Sequence, residues 1–475
     1  TVRCCTQNGI RGGSATVHFP IWHQEISDIL VLKNNKGTED NRVRKLDYSI
    51  QLSKLFYERF IQNKEISLFS PHDCPNLYES FGTDKFDDLY CRYEADESIP
   101  RTTIGAQELI LDLLKERAET GRIYIMNIDH CNSHSSFKDK VSMSNLCQEI
   151  TLPTLPISHI DDHLGEIALC ILSAVNVGKI RNDEELEELC DLSVRGLEEL
   201  IDYQRYPVKA AELATKARRS LGVGFIGLAH YLAKLGYKYE SQEAWDAVHG
   251  LAESFQYYLL KASNAIAKEK GHCENFGRTK YADGILPIDT YKKDVDEICS
   301  QPLAHDWESL RASINEYGLR HSTLSAQMPS ESSSVVCNAT NGIEPPRDYL
   351  SIKKSKKGPL KQIVPSYGSL KNNYTLLWDM PNNEGYINIV SVMQKFFDQA
   401  ISGNWSYNPV HFENAEVPVS VMAQDLLTTY KYGWKTSYYQ NTHDMKTDEV
   451  DEPSLDNLLN DLENANEEEC ESCAI

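Results

Sequence analysis

The sequence predicts an α/β protein, and it does so through a helix that hands over to a buried strand and through two long capped helices. From Ile104 to Thr120 the apolar residues Leu109, Ile110, Leu113 and Leu114 share one helical face. Gly121 then stands where a left-handed residue closes a helix. Arg122 to Met126 is a short, mostly apolar run of strand length. A helix leading directly into a buried strand is the repeating unit of α/β architecture. The second helix is expected over Asp183–Asp202, with Asn182 and Glu185 as an N-x-x-E capping box. Its stripe is Leu186, Leu189, Val194, Leu197 and Ile201. The third runs from Glu243 to Lys270 and is stopped by Gly271. Near the start, residues 9–16 form a glycine-rich loop. Thr16 to Phe19 then reads as a short strand that Pro20 ends. No internal repeat is present.

Composition narrows the function classes. Of 475 residues, 41% are hydrophobic and 25% charged, as in ordinary soluble domains. No apolar run reaches the ~18 residues that span a bilayer. The opening residues Thr1, Val2, Arg3, Cys4 and Cys5 contain no signal-peptide core, so a cytoplasmic location is expected. A net charge of −22 repels a phosphate backbone and argues against a general nucleic-acid binder. A small phosphorylated substrate remains compatible, because a local nest of backbone N–H groups can hold it. Thirteen scattered cysteines do not suit a disulfide framework, and most are expected to be thiols. The first residue is not Met, which fits either loss of an initiator before Thr1 or a start inside a domain.

The composition changes after His443. From Asp444 onward there are twelve acidic residues, one basic residue (Lys446) and no aromatic residue. Such a stretch buries too little apolar area to order itself, so residues 444–475 are expected to be a mobile tail. Leu455, Leu458, Leu459 and Leu462 keep helical spacing within it, behind Ser454. At its end Cys470 and Cys473 form a C-x-x-C pair. Two thiols this close can cycle through a disulfide, and no second pair exists to complete a zinc site.

Several other constellations carry chemistry in one reading and packing in another. In Asn145-Leu146-Cys147-Gln148-Glu149, an extended backbone would turn an amide, a thiol and a carboxylate to one face. That set suits recognition of a sugar hydroxyl beside a base and a reactive sulfur; the alternative is a polar loop with one buried cysteine. Tyr438 and Tyr439 are adjacent aromatics that could simply pack. Pro329 to Ser334, with Glu331, Ser332 and Ser333, could cradle a phosphate at a helix start or merely cap a helix. Gly222, Gly224 and Gly227 fit G-x-G-x-x-G, but the preceding residues are polar and basic. Close helix packing therefore explains these glycines better than a dinucleotide site. His130, Cys131 and His134 lack an obvious fourth ligand, so no metal site is expected.

Taken in order, these segments resemble the large catalytic subunit of class I ribonucleotide reductases. The matching stretches are Gln7–Gly13, Leu32–Gly37, Asn145–Glu149, Gly165–Cys170, Pro329–Ser333, Asn338–Pro346 and Tyr438–Thr442, with the terminal cysteine pair. The resemblance covers residues 1 to about 443 and implies the C-terminal part of a ten-stranded α/β barrel with a central finger loop. It implies that Cys147 is the radical cysteine, Glu149 the carboxylate that takes the 3′-hydroxyl proton, and Asn145 the amide on the sugar hydroxyls. Cys170 matches one of the two cysteines that reduce the substrate. Tyr439 and Tyr438 match the radical relay, with Arg122 beside it. Pro329, Glu331, Ser332 and Ser333 match the substrate phosphate and ribose loop. Gln7 and Arg11 match the loop that reads the base and relays the effector signal. Cys470 and Cys473 match the tail pair that re-reduces the site.

The resemblance also implies partners. The radical would come from the di-metal, tyrosyl-radical small subunit, with no cofactor bound by this chain itself. Electrons would come from thioredoxin or glutaredoxin. Nucleoside triphosphate effectors would bind mainly to the N-terminal part of the subunit. The family's second redox cysteine lies upstream of the base-reading loop, and Cys4 and Cys5 do not match it. A separate chain supplying the N-terminal part, and an oligomeric assembly, are therefore expected. The location would be the cytoplasm, that of a bacterial host were the gene carried by a phage. The competing expectation is a non-catalytic fragment with a structural or regulatory role. A stand-alone thiol oxidoreductase that uses only the tail would leave the rest of the apolar-patterned chain without a purpose.

Overall fold

In the computed structural model the described residues are 2–6, 12–355 and 358–444. The tail from residue 445, with Cys470 and Cys473, lies outside them, as do Gln7 and Arg11. The strands are β1 (Thr16–Pro20), β2 (Asp47–Leu52), β3 (Glu65–Leu68), β4 (Thr102–Gly105), β5 (Ile123–Asn127) and β6 (Ile171–Asn176). They continue with β7 (Leu221–Ile226), β8 (Leu350–Ser355), β9 (Gly358–Ile363), β10 (Gly403–Tyr407) and β11 (Thr436–Thr442).

One sheet has the order β1-β2-β5-β11-β10. The first three strands are parallel, β11 runs antiparallel to β5, and β10 runs parallel to β11. The parallel pair β6-β7 is joined to this sheet by two parallel bridges, Val223 to Ser325 and Gln327 to Ile401. The stretch around Ser325–Gln327 thus acts as a strand between β7 and the residues entering β10. A block of three parallel strands therefore meets an opposed block of five at the β5–β11 seam. This is the α/β architecture expected from the sequence and part of the barrel that the resemblance implies. Strands β1 and β6 are the outer members, and among the described residues they do not pair with each other.

The strands β2, β5 and β7 are buried along their whole lengths. Parallel strands covered on both faces read as continuous burial rather than as an alternation. The helix Ala106–Thr120 buries Leu109, Ile110, Leu113 and Leu114 as expected, and packs on β5 and β11. It starts later than the periodicity suggested, because Ile104 and Gly105 pair with β3 as part of β4. Gly121 has φ +67°, and a Cβ there would stand 2.8 Å from Gln440 O, so this turn demands glycine. The helices Asp183–Tyr203 and Gln242–Lys270 pack on each other. Asn182 accepts from Glu185 N as a cap should, but Glu185 Oε2 takes the N–H of Arg181, one residue outside the expected box. The helix Glu384–Gln394 is buried on nearly every face, so it offered no amphipathic period. No helix among the described residues is long and apolar enough to cross a membrane.

A buried polar knot fixes the turn after that helix. Asp398 Oδ2 accepts from Tyr281 Oη (2.8 Å) and Leu324 N (2.9 Å), and Oδ1 accepts from Ser325 N (2.9 Å). Lys435 Nζ donates to the carbonyls of Phe397, Asp398 and Gln399 at 3.3, 2.9 and 2.9 Å. The knot ties the central strand-like stretch Ser325–Gln327 to the start of β11. Asp398→Ala would remove the acceptor of several buried donors, Tyr281 Oη, Leu324 N, Ser325 N and Ser325 Oγ among them, beside a buried ammonium. We expect it to cost about 3–5 kcal/mol in urea unfolding, with a lower thermal midpoint. A loss within about 0.5 kcal/mol, the usual surface value, would contradict this role for the knot.

Candidate active site

The segment 144–150 crosses the sheet as a finger and is held from several sides. Thr16 Oγ1 of β1 donates to Leu146 O at 3.1 Å, and Ser49 Oγ of β2 donates to Gln148 Oε1 at 2.8 Å. Thr436 Oγ1 of β11 donates to Gln148 O at 2.9 Å. Ala400 N donates to Glu149 O at 3.0 Å, and Ser402 Oγ lies 2.5 Å from Cys147 O. Both strand blocks thus grip the loop. The expectation of an extended segment is corrected here: residues 146–148 form a turn, with Gln148 at φ +73°. Gln148 Nε2 closes the turn on Asn145 O at 3.0 Å. The turn still brings the expected amide and carboxylate together.

Glu149 is buried, and burial pushes its carboxyl up while hydrogen bonds from Asn145 and Ser402 pull it back. Ser402 Oγ is 3.1 Å from Glu149 Oε2 and shares its single proton between that oxygen and Cys147 O. Asn145 Oδ1 accepts from Ile150 N at 3.1 Å, which fixes the amide orientation. Cys170 lies immediately before β6, and its thiol is pushed up by burial and by the Glu149 charge. It is a free thiol and lies over β7 at Gly222, where a Cβ would stand 3.0 Å from Cys170 Sγ. That corrects the reading of Gly222 and Gly224. They sit inside β7 and make room for Cys170, Leu172 and Ala326, not for a helix.

The tyrosine pair belongs to this site. Tyr438 Oη lies 3.4 Å from Cys147 Sγ. The rings of Tyr438 and Tyr439 are 3.9 Å apart between centroids. Tyr124 completes a cluster at 4.8 Å from Tyr438 and 5.8 Å from Tyr439. The Arg122 guanidinium lies 5.0 Å over the Tyr439 ring, a cation–π geometry, and 3.9 Å from Asp47 Oδ2. Arg117, fully buried, donates to the carbonyls of Ile123, Tyr438 and Tyr439, pinning β11 to β5 at the seam. The sequence reading found Arg122 but passed over Tyr124. The signal was available, since Arg122 and Tyr124 are two residues apart in the run expected as a strand and so share a face.

The other expected residues fall as follows. Pro329 follows the strand-like stretch that ends at Gln327, whose O accepts from Ser402 N at 2.9 Å. The serine loop therefore leaves the sheet one register step from the residue that holds Glu149. Glu331, Ser332 and Ser333 are exposed on the first turn of the helix Glu331–Val336. His130 and His134 spend ring nitrogens on Trp434 O and Gln394 O, and among the described residues no metal-ligating cluster occurs.

The raised carboxyl of Glu149 has a consequence for stability. Its folded-state pKa lies above the unfolded value, so at neutral pH the buried charge opposes folding. Glu149→Gln is therefore expected to raise the melting temperature at pH 7. The gain should shrink as pH falls through the raised pKa and vanish below about 4.5, where both states hold the proton. A variant that is less stable at pH 7, or equally shifted at every pH, would contradict this account.

With this geometry described, comparison with known proteins gives one answer. The family profile described as "Ribonucleotide reductase, barrel domain" matches residues 1–440. The "Ribonucleoside-diphosphate reductase subunit alpha" of Haemophilus influenzae is 59% identical over 448 residues, covering 93% of this chain and 59% of that protein. The corresponding subunit 1 alpha of Escherichia coli is 54% identical, over 96% of this chain and 61% of its own length. The subunit alpha of Enterobacteria phage T4 is 44% identical over the same shares, 96% and 61%. The chain thus spans about three fifths of the length of the relatives it matches. By profile and by identity, the chain belongs to the ribonucleotide reductase family and carries its barrel domain.

Proposed function

We propose that this chain carries the radical chemistry of ribonucleotide reduction, with ribonucleoside diphosphates as substrates. The observation that carries the reading is the Tyr438 hydroxyl, 3.4 Å from Cys147 Sγ, with the Tyr439 ring in tilted contact behind it. An aromatic pair that ends on a thiol is suited to stepwise transfer of an electron and a proton. In this reading an oxidising equivalent from the radical-bearing small subunit passes through Tyr439 and Tyr438 and leaves a thiyl radical on Cys147. The thiyl radical takes the ribose 3′ hydrogen. Glu149, beside Asn145, accepts the 3′-hydroxyl proton, a role that fits a carboxylate tuned upward by burial. The 2′-hydroxyl leaves as water. Cys170 and a second thiol supply two electrons and two protons, one proton to the departing water and one to C2′, and become a disulfide. Cys147 then returns the hydrogen to C3′, Glu149 returns its proton, and the oxidising equivalent goes back through Tyr438 and Tyr439.

The remaining roles follow from the same reading. Pro329, Glu331, Ser332 and Ser333 hold the substrate phosphates and ribose, and Gln7 and Arg11 address the base. Arg122 supports the outer tyrosine. Cys470 and Cys473 return the active-site pair to dithiol and are themselves reduced by thioredoxin or glutaredoxin. The N-terminal part of the subunit, supplied by a separate chain, brings the second thiol and most of the effector site. The assembly is oligomeric and works in the cytoplasm.

Two experiments test this. The chain mixed with an N-terminal large-subunit chain and the small subunit should reduce ribonucleoside diphosphates. Cys147→Ser should lower turnover about 10³-fold or more, with the fold unchanged by circular dichroism. Robust turnover with the small subunit alone would remove the need for the N-terminal partner. Full activity of Cys147→Ser would remove the radical assignment. Separately, Cys470→Ser should abolish turnover driven by thioredoxin or glutaredoxin while sparing much of that driven by dithiothreitol. Equal loss with both reductants would argue against a shuttle.

A further inference from the structure

The thiol of Cys170 sits against the bare backbone of Gly222 and the side-chain amide of Gln399, within the fields of the Glu149 and Asp398 carboxylates. Gln399 Nε2 lies 3.8 Å from Cys170 Sγ. The amide is fully buried and held at both ends. Its Nε2 donates to Leu221 O at 2.8 Å, and its Oε1 accepts from Thr151 N at 3.3 Å. The backbone is held as well. Gln399 N donates to Ser325 O at 3.1 Å, and Gln399 O accepts from Gln394 Nε2 and Lys435 Nζ, each at 2.9 Å. With its oxygen on Thr151 N, the amide cannot flip. One of its two N–H groups serves Leu221 O, and the other is left facing the sulfur.

We propose that Gln399 is a positioning residue for the redox chemistry of Cys170, its fixed amide N–H donating to the sulfur and steadying it as a thiolate. This rests on the reading of Cys170 as a redox thiol. When the active-site disulfide is reduced, a thiolate of the incoming dithiol attacks one sulfur and the S–S bond breaks. The other sulfur leaves with the electron pair. The second thiol of the dithiol then resolves the mixed disulfide, so that two electrons have passed and one disulfide replaces another. A leaving Cys170 would carry negative charge in a buried site beside Glu149, the condition that most disfavours it. Burial pushes this thiol up, the Gln399 donor pulls it back, and the Glu149 and Asp398 charges push it up again. Gln399 is the neutral donor at hand, and the Lys435 ammonium, spent on three carbonyls, holds the turn that presents it.

The test is peptide-resolved alkylation of the full chain by iodoacetamide across about pH 7 to 10, where labelling reports the thiolate fraction. In Gln399→Met, Cys170 should label about 10-fold more slowly at each pH, the equivalent of about one pK unit, while Cys131 and Cys273 are unchanged. Gln399→Glu keeps the side chain's shape and the Thr151 acceptor, and it should slow Cys170 at least as much once ionised. If Gln399 only filled space, its loss would open the site and speed labelling. Unchanged or faster labelling of Cys170 in whichever of the two variants keeps the wild-type circular dichroism spectrum overturns the proposal. No turnover is measured, so that result would leave the catalytic reading to stand or fall on Cys147→Ser.

Discussion

The site depends on the grip that two opposed strand blocks keep on one turn. A loop crossing the middle of a sheet exposes backbone groups that neither helix nor strand satisfies, and in a buried place each needs a partner. Here Thr16, Ser49, Ser402 and Thr436 provide hydroxyls that meet the carbonyls of Leu146, Cys147 and Gln148 and the Gln148 amide oxygen. These four come from β1, β2, the entry to β10, and β11, so the loop is fixed only when both blocks are in place. The same bonds that pay for the loop's burial also hold Cys147 against Tyr438. Precision at the sulfur follows from satisfaction of the backbone.

That grip also keeps the groups proposed for the radical route and for acid–base work on separate partners. Tyr438 approaches Cys147 from β11, on the seam where β11 meets β5. Glu149 is held by Ser402 and Asn145. A tyrosine hydroxyl and a carboxylate that shared a hydrogen bond would exchange protons with each other. Here each has its own partner, Cys147 for the tyrosine hydroxyl and Ser402 for the carboxylate. Arg117 enforces the separation by holding the carbonyls of Tyr438 and Tyr439 from the β5 side.

Much of this was legible in the sequence, for identifiable reasons. The helix Ala106–Thr120 and strand β5 declared themselves because one is amphipathic and the other fully apolar in pattern. The helix Glu384–Gln394 did not, because a helix buried on all sides has no period to read. β4 was hidden because Ile104 fits the helical stripe and only its pairing with Ile66 makes it a strand. At the site, motif order brought Cys147, Glu149, Cys170 and the tyrosines into view. Their supports stayed out of sight: Ser402 and Gln399 are far along the chain from the residues they hold, and a lone serine or glutamine carries no local signal. The left-handed turn at Gln148 was equally invisible, since glutamine has no preference for it.

The distribution of buried polar groups follows from this arrangement. Glu149 and Cys170 are both raised by burial, and the Lys435 ammonium is pulled down to about 7 by the same cause. Each is costly where it stands, and each is tied to the next through one short stretch, residues 397–402. Lys435 caps the carbonyls at its start, Gln399 reaches Cys170, Ala400 N holds Glu149 O, and Ser402 holds Cys147 O. Asp398 anchors that stretch to the neighbouring strand through Ser325 and Leu324. A displacement of residues 397–402 would therefore move the Cys170 thiol, the Glu149 carboxylate and the finger turn together. The fold keeps three chemically different groups in register by hanging them on one backbone segment, and it has to bury polar atoms there because no apolar side chain could make those bonds.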